Sequence, residues 1–236
     1  MTSVSLPAAE SAPLSTSGTT TRPSTGTVLA AFPLLAAALL MVGEVVTPSG
    51  LDKPTTTTAA ARGAIEIARA HTGQVYASNL LVIAGLGALG VSFAAIGGLA
   101  RPHRSRLRIT AAVVGGLAAF CGAISNVFVG IVVAAAGAAH TSTAAAAQVL
   151  VSIDKSAAVI ALLVTYLAGG LVAIVVTVVL LWRSDVPRWL ALLFGVGLVV
   201  AASSRPGISA IPMQAPFAAA MLLLAIRVHE VAGRDG

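Results

Sequence analysis

The residues of this sequence that are best able to do chemistry are isolated polar side chains beside long apolar runs. Two are carboxylates, Glu44 and Asp154, which together could act as a general acid and a general base. The others are amides and imidazoles, which could hold a polar ligand by hydrogen bonds; they are His71, Asn79, Asn126, His140 and Gln214. We therefore treat the two acids as catalytic candidates, and Glu44 with the amides and imidazoles as ligand-binding candidates.

A metal site would need several of these residues at the spacing of a ligand set. His71 and His140, with Glu44 and Asp154, carry the right donor atoms for zinc. No pair of them has a short spacing such as His-x-x-x-His, and no Walker, Rossmann or serine-elbow motif is present. The sequence predicts neither a metal nor another cofactor.

The composition indicates whether water or lipid surrounds the protein. Of 236 residues, 57% are hydrophobic and 9% are charged, whereas about a quarter of a soluble domain is charged. Most of the 14 basic residues lie in short breaks between apolar runs and not on a face with stacking aromatics. We expect membrane lipids as partners and no nucleic acid. The single cysteine, Cys121, excludes a disulfide within the chain.

The apolar runs define the elements that must position the polar residues. A helix that crosses the hydrocarbon core needs about 20 apolar residues, and runs of this kind fill residues 27–230. The prediction is an all-α, polytopic transmembrane bundle of about six spans, with a disordered tail at 1–26 and a short tail at 231–236. The spans are predicted at about 28–47, 78–100, 109–139, 156–182, 189–203 and 207–226.

Some of these segments admit more than one structure. The third run exceeds one crossing, so it is tilted or projects beyond the bilayer. The fifth run is short, and prolines crowd the turn after it, so spans five and six could instead form a re-entrant hairpin. Residues 59–71 have one apolar and one charged face, which predicts an amphipathic helix lying on the outer surface.

Basic residues set the predicted orientation. The segment 101–108 contains four arginines and is the strongest indication of a cytoplasmic loop. Trp182 and Trp189 flank another such loop, as interfacial aromatics do. We expect a plasma-membrane protein with both termini in the cytoplasm.

The helical rise then places the polar candidates at a common depth. Glu44 lies about 24 Å along the first span from Val28, and Asn126 lies at a similar height in the third. The other candidates fall at the outer ends of spans or just above them. Because these polar residues share one depth near the outer ends of the spans, we predict a polar cavity that is open to the outside. Three alternatives remain: Glu44 facing headgroup water, Asn126 bonding between helices, and Asp154 starting a helix.

Three short motifs carry a resemblance to a known group of proteins. They are GEVVTP at 43–48, HTGQVY at 71–76 and LWRSDVPRW at 181–189. With the apolar runs from 27 to 230, they resemble a family of actinobacterial multi-span membrane proteins. The resemblance implies a topology and a source, and it assigns no activity to any residue.

Two functional classes follow from these observations. The first is a non-enzymatic binding, accessory or small-transport module, whose outward-facing cavity takes a small or amphiphilic ligand. The second is a small membrane enzyme acting on a lipid or isoprenoid-like substrate, with Glu44 and Asp154 as acid and base. Only 4% of residues are aromatic, which disfavours carbocation chemistry. We favour the first class, and the oligomeric state stays open.

Overall fold

The structure is a computed structural model, and it describes residues 25–51, 57–100, 105–138, 142–203 and 207–232. Throughout these residues the regular secondary structure is helical, as predicted, and contains no strand. The helices are α1 (Thr25–Val46), α2 (Thr58–Ala70), α3 (Thr72–Gly97), α4 (Ser105–Asn126), a π segment (Val127–Ile131), α5 (Val132–Ala138), α6 (Thr143–Asp154), α7 (Ala157–Trp182), α8 (Arg188–Ala202) and α9 (Ala210–Ala232).

Several predictions concern residues outside these ranges. The disordered tail predicted for 1–26 lies outside them, except for its last two residues, which begin α1. In the tail predicted for 231–236, the first two residues belong to α9. His140 and the first half of the arginine-rich segment, 101–104, also lie outside the described residues.

Within the described chain, five helices are long and apolar enough to cross a membrane: α1, α3, α4, α7 and α9. Helix α8 is apolar but has 15 residues. Its length is about 22 Å, against a hydrocarbon core of about 30 Å. The predicted transmembrane bundle is therefore supported by five helices, and a sixth crossing depends on this short one.

Six helices form a closed ring in the order α1, α3, α4, α7, α8 and α9, and α9 packs back on α1. The core of the ring is apolar and includes Phe93, Phe194 and Phe217. The rings of Phe93 and Phe194 meet edge to face with centroids 6.2 Å apart, a favoured aromatic geometry. The contact between α7 and α8 is the least extensive in the ring, so the ring is least tightly packed at the seam between these two helices.

The outer faces of the ring consist of large apolar side chains. On α7, Val164, Leu167 and Leu171 are between 57% and 59% exposed, and on α4 Ile109 and Phe120 are equally open. Soluble monomers rarely expose contiguous apolar surface on this scale. Lipid tails are the solvent that suits these faces.

The turn between α7 and α8 has the composition of a membrane interface. Trp182 ends α7 and is 40% exposed, and Trp189 is the second residue of α8 and is 57% exposed. The guanidinium carbon of Arg188 lies 5.6 Å from the Trp182 ring centroid, within cation–π range. Aromatic residues at both helix ends are typical of the membrane–water boundary.

Helices α2, α5 and α6, together with the first turn of α3, form a second, smaller apolar core, which we call the cap cluster. Its buried residues are Ala61, Ile65, Ala68, Val75, Val133, Ala134, Ala146, Ala147 and Leu150. Arg69 Nη1 donates a 2.6 Å hydrogen bond to Thr143 Oγ1 and joins α2 to α6. The amphipathic helix exists as predicted, and its apolar face is buried in this cluster. Helix α5 projects from the third span into the cap cluster.

The boundary between α6 and α7 differs from the prediction for Asp154. Asp154 is the last residue of α6, and Lys155 follows it as the C-cap. Helix α7 begins after Ser156, whose Oγ accepts a 3.3 Å hydrogen bond from Val159 N. Serine is among the strongest N-cap residues because its hydroxyl satisfies a free amide of the first turn. Asp154 therefore ends a helix and does not start one.

A polar cavity within the helix ring

A cavity of about 130 Å³ lies inside the ring, between the end of α1 and the beginning of α9. Every ring helix contributes to its wall. Most of the lining consists of leucine, alanine and phenylalanine side chains. Four lining residues carry polar side chains: Glu44 on α1, Asn126 on α4, Tyr166 on α7 and Gln214 on α9.

Glu44 is held at the cavity by close contact between α1 and α3. A Cβ at Gly43 would lie 2.8 Å from Val82 Cγ2, so glycine permits an approach that a larger residue would prevent. Just beyond Glu44, Thr47 Oγ1 donates a 2.8 Å hydrogen bond to Gly43 O, and Pro48 follows the helix end. Glu44 is half-buried, and among the described residues no side-chain donor reaches its carboxyl group.

Asn126 is the last residue of α4 before the π segment. Its Nδ2 donates a 3.0 Å hydrogen bond to Gly122 O, so the amide oxygen remains as the acceptor of this side chain. Short π segments interrupt the regular helical bonding and occur often at functional sites. The third span thus changes its helical geometry directly after the residue that it places in the cavity.

Tyr166 was not among the predicted site residues. It lies on α7 against Gly122, where a Cβ would come within 2.6 Å of Tyr166 Cδ2. Tyr166 lines the same cavity as Glu44. One signal was available in the sequence: Tyr166 lies well inside a span, whereas membrane tyrosines concentrate at the interfaces.

Gln214 on α9 lines the cavity and is hydrogen-bonded to α8. It is 4% exposed, and its Nε2 donates a 3.4 Å hydrogen bond to Ala201 O on α8. Just before α9, Gly207 N donates a 2.8 Å hydrogen bond to Glu44 O. Gly207 has a φ of +100°, a conformation that favours glycine. The approach to α9 is therefore fixed to the end of α1.

Two other predicted binding residues lie elsewhere. Asn79 donates through Nδ2 to Val75 O at 2.8 Å, and its side chain abuts Gly130 in the π segment, where a Cβ would not fit. This amide serves the packing of α3. His71 is exposed between α2 and α3 and lines a separate surface groove with Glu66.

The two carboxylates of the catalytic hypothesis do not share a site. Asp154, at the end of α6, is not among the residues that line the cavity of Glu44. The structure thus brings together Glu44, Asn126 and Gln214 from the predicted set, and it adds Tyr166.

The groups in the cavity suit hydrogen bonding to a small polar ligand. The Glu44 carboxylate and the Asn126 amide oxygen accept hydrogen bonds, and the Tyr166 hydroxyl can donate or accept one. Over the residues that the structure describes, no group of three or more His, Cys, Asp or Glu side chains could hold a metal ion. The cavity can therefore orient a hydrogen-bond donor of a ligand among mainly apolar side chains.

The fold and the cavity define an all-helical protein with five helices that could span a membrane and a polar pocket at one end of the ring. Comparisons with protein-family models, with curated proteins and with solved structures find nothing that matches this chain.

Proposed function

We propose that this chain is a non-enzymatic membrane protein that binds a small polar group in the cavity formed by Glu44, Asn126, Tyr166 and Gln214. The observation that carries the proposal is the convergence of these four side chains from four different helices on one cavity. Polar residues within spans are costly in lipid and usually face the interior of the bundle.

The position of Glu44 is central to this proposal. A carboxyl at the end of a span can simply face headgroup water, which was the alternative left open by the sequence. Glu44 is instead half-buried and lines a cavity with two amides and a phenol. A ligand that donates hydrogen bonds would satisfy an acceptor that no described side chain satisfies.

Orientation and location belong to the same proposal. We place both termini in the cytoplasm of a cell whose plasma membrane the six ring helices cross, with the cavity near the outer face. The excess of arginine in the 101–108 segment supports this orientation. Membership of the actinobacterial multi-span family, suggested by the motifs at 43–48, 71–76 and 181–189, is part of the proposal as well.

An enzyme that uses Glu44 and Asp154 as acid and base on a lipid or isoprenoid-like substrate is the weaker proposal. Proton transfer in catalysis requires both groups within hydrogen-bond reach of one substrate. Of these two carboxylates, only that of Glu44 lines the cavity.

Native mass spectrometry of the purified protein with its lipids retained tests the proposal. The wild type is expected to carry a bound species that Glu44→Gln loses, because the amide replaces a charged acceptor by a group that also donates. Glu66→Gln is the matched control, since Glu66 is exposed on α2 and does not line the cavity. Identical spectra for the wild type and Glu44→Gln would overturn the proposal.

A further inference from the structure

An apolar groove runs along the seam between α7 and α8, where the ring closes least extensively. Its volume is about 270 Å³, and its walls include Phe93, Leu171 and Ile174. The groove and the polar cavity have four lining residues in common: Leu89, Tyr166, Leu198 and Ala202. Because these residues border both spaces, the groove lies directly beside the polar cavity.

The volumes indicate how a ligand would divide between the two spaces. An engineered cavity of about 150 Å³ holds one benzene molecule, so the polar cavity of about 130 Å³ has room for a head group of a few heavy atoms. Ligand pockets commonly measure about 300–1,000 Å³. The groove adds about 270 Å³ of mainly apolar space, which suits a hydrocarbon chain attached to that head group.

The hydrogen-bond acceptors on the cavity wall indicate the chemistry of the head group. The Glu44 carboxylate and the Asn126 amide oxygen are both acceptors on the cavity wall. A second carboxylate or a phosphate would be repelled by Glu44 in a medium of low dielectric constant. A hydroxyl can donate to either acceptor and, unlike an ammonium, carries no charge that must lose its water on entry from the lipid, so it fits this end of the site.

The outer rim of the groove indicates the route of access. Leu167 and Leu171 line the groove and are 58% and 59% exposed on the lipid-facing side of α7. A chain dissolved in the bilayer can therefore reach the groove without passing through water. Helix α8 is also the shortest helix of the ring, which limits the length of the seam that must separate.

We propose that a single-chain membrane amphiphile with a hydroxyl head enters sideways from the lipid between α7 and α8. Its head reaches Glu44 and Asn126, and its chain occupies the groove. This inference rests on the proposed function, because it names the class of ligand and the route for the same polar cavity.

A glycine in the groove provides a variant whose added Cβ lies in open space. Gly170 lines the groove, and a Cβ built on it meets no atom within 4 Å. Gly170→Leu therefore places a side chain where the ligand chain would lie. Gly87→Leu is the matched control, because a Cβ at Gly87 is equally free and Gly87 is exposed on α3 outside both spaces.

The test uses the full chain in vesicles that contain a long-chain alcohol with a photoreactive diazirine in its tail. After illumination, mass spectrometry of peptides is expected to locate adducts on α7 and α8 residues of the groove. Gly170→Leu should reduce their yield about tenfold or more, the change that about 1.4 kcal/mol of lost binding produces. Gly87→Leu should leave the yield unchanged, and a fatty acid of equal chain length should compete less well than the unlabelled alcohol.

The outcomes separate this inference from the proposed function. If Glu44→Gln still removes a bound species while Gly170→Leu leaves that species and the adducts unchanged, lateral access through the groove is overturned and the polar site stands. If adducts form at equal yield on all lipid-facing helices, the inference is also overturned. If Glu44→Gln removes nothing, the proposed function itself is wrong.

Discussion

The Tyr166 ring occupies the space that a side chain at Gly122 would need: a Cβ there would lie 2.6 Å from Tyr166 Cδ2. The same glycine accepts the 3.0 Å hydrogen bond from Asn126 Nδ2. One residue on α4 therefore positions two of the four polar groups in the cavity. The packing of α4 on α7 and the geometry of the site depend on each other at this point.

Gly122→Ala should displace the Tyr166 ring and lower stability by about 1–3 kcal/mol, the usual cost of overpacking. Gly116→Ala is the control on the same helix, because a Cβ at Gly116 meets nothing within 4 Å. Replacement of a mid-helix glycine by alanine otherwise stabilises by about 0.5–1 kcal/mol. Thermal unfolding in detergent distinguishes the two variants, and equal melting temperatures would contradict the Gly122–Tyr166 contact.

Gly197→Ala should destabilise the chain more than Gly195→Ala, although both glycines lie on α8. A Cβ at Gly197 would meet the backbone nitrogen of Phe217 at 2.8 Å, whereas a Cβ at Gly195 would meet only side chains, those of Val178 and Ile174. A side chain can change its rotamer, but the backbone of α9 cannot move without separating from α8. Melting temperatures in one detergent provide the comparison, and the reverse order would rule out this close helix approach.

Ile65→Ala should cost about 2–5 kcal/mol, as large-to-small substitutions at buried positions do. Ile65 is fully buried in the cap cluster. Arg62→Ala on the exposed face of α2 is the control, with an expected change within about 0.5 kcal/mol. Unfolding in detergent and protease cleavage within α2 report the difference. An Ile65→Ala variant as stable as Arg62→Ala would show that α2 does not pack on α5 and α6.

Cysteine labelling in intact cells tests the proposed orientation. In a Cys121→Ala background, Ser49→Cys should react with a membrane-impermeant maleimide, because Ser49 is exposed just beyond the Glu44 end of α1. His229→Cys, exposed near the end of α9, should react only after the membrane is permeabilised. The opposite pattern would place the cavity at the cytoplasmic face.

Depth along the helices was the part of the site that the sequence could predict. The helical rise placed Glu44 and Asn126 at one level, and Gln214 was assigned to the same level because it begins the sixth span at its outer end. The structure brings these three residues to one cavity. Depth says nothing about the direction in which a side chain points. Asn79 has a similar predicted depth, yet it faces the π segment, because its orientation depends on which helices are neighbours.

The order of the helices in the ring could not be predicted from the sequence. Tyr166 belongs to the site only because α7 packs beside α4 at Gly122, a contact between residues 44 positions apart in the chain. The amphipathic pattern of α2 likewise predicted an apolar face but not its partner, since lipid and protein can cover such a face equally well. Asp154 was misplaced because Ser156, two residues later, is the actual helix cap.

Carbodiimide labelling of Glu44 tests most directly whether this carboxyl lines a ligand site that opens to the membrane. An apolar carbodiimide should reach Glu44 from the lipid and modify it. Added long-chain alcohol should slow that reaction. A water-soluble carbodiimide should react first with Glu66 and Glu230, which are exposed. Intact-mass and peptide analysis would locate the adduct, which Glu44→Gln should lack. Glu44 does not line such a site if it reacts with the water-soluble reagent as fast as Glu230 does and if the alcohol leaves the rate of Glu44 modification unchanged.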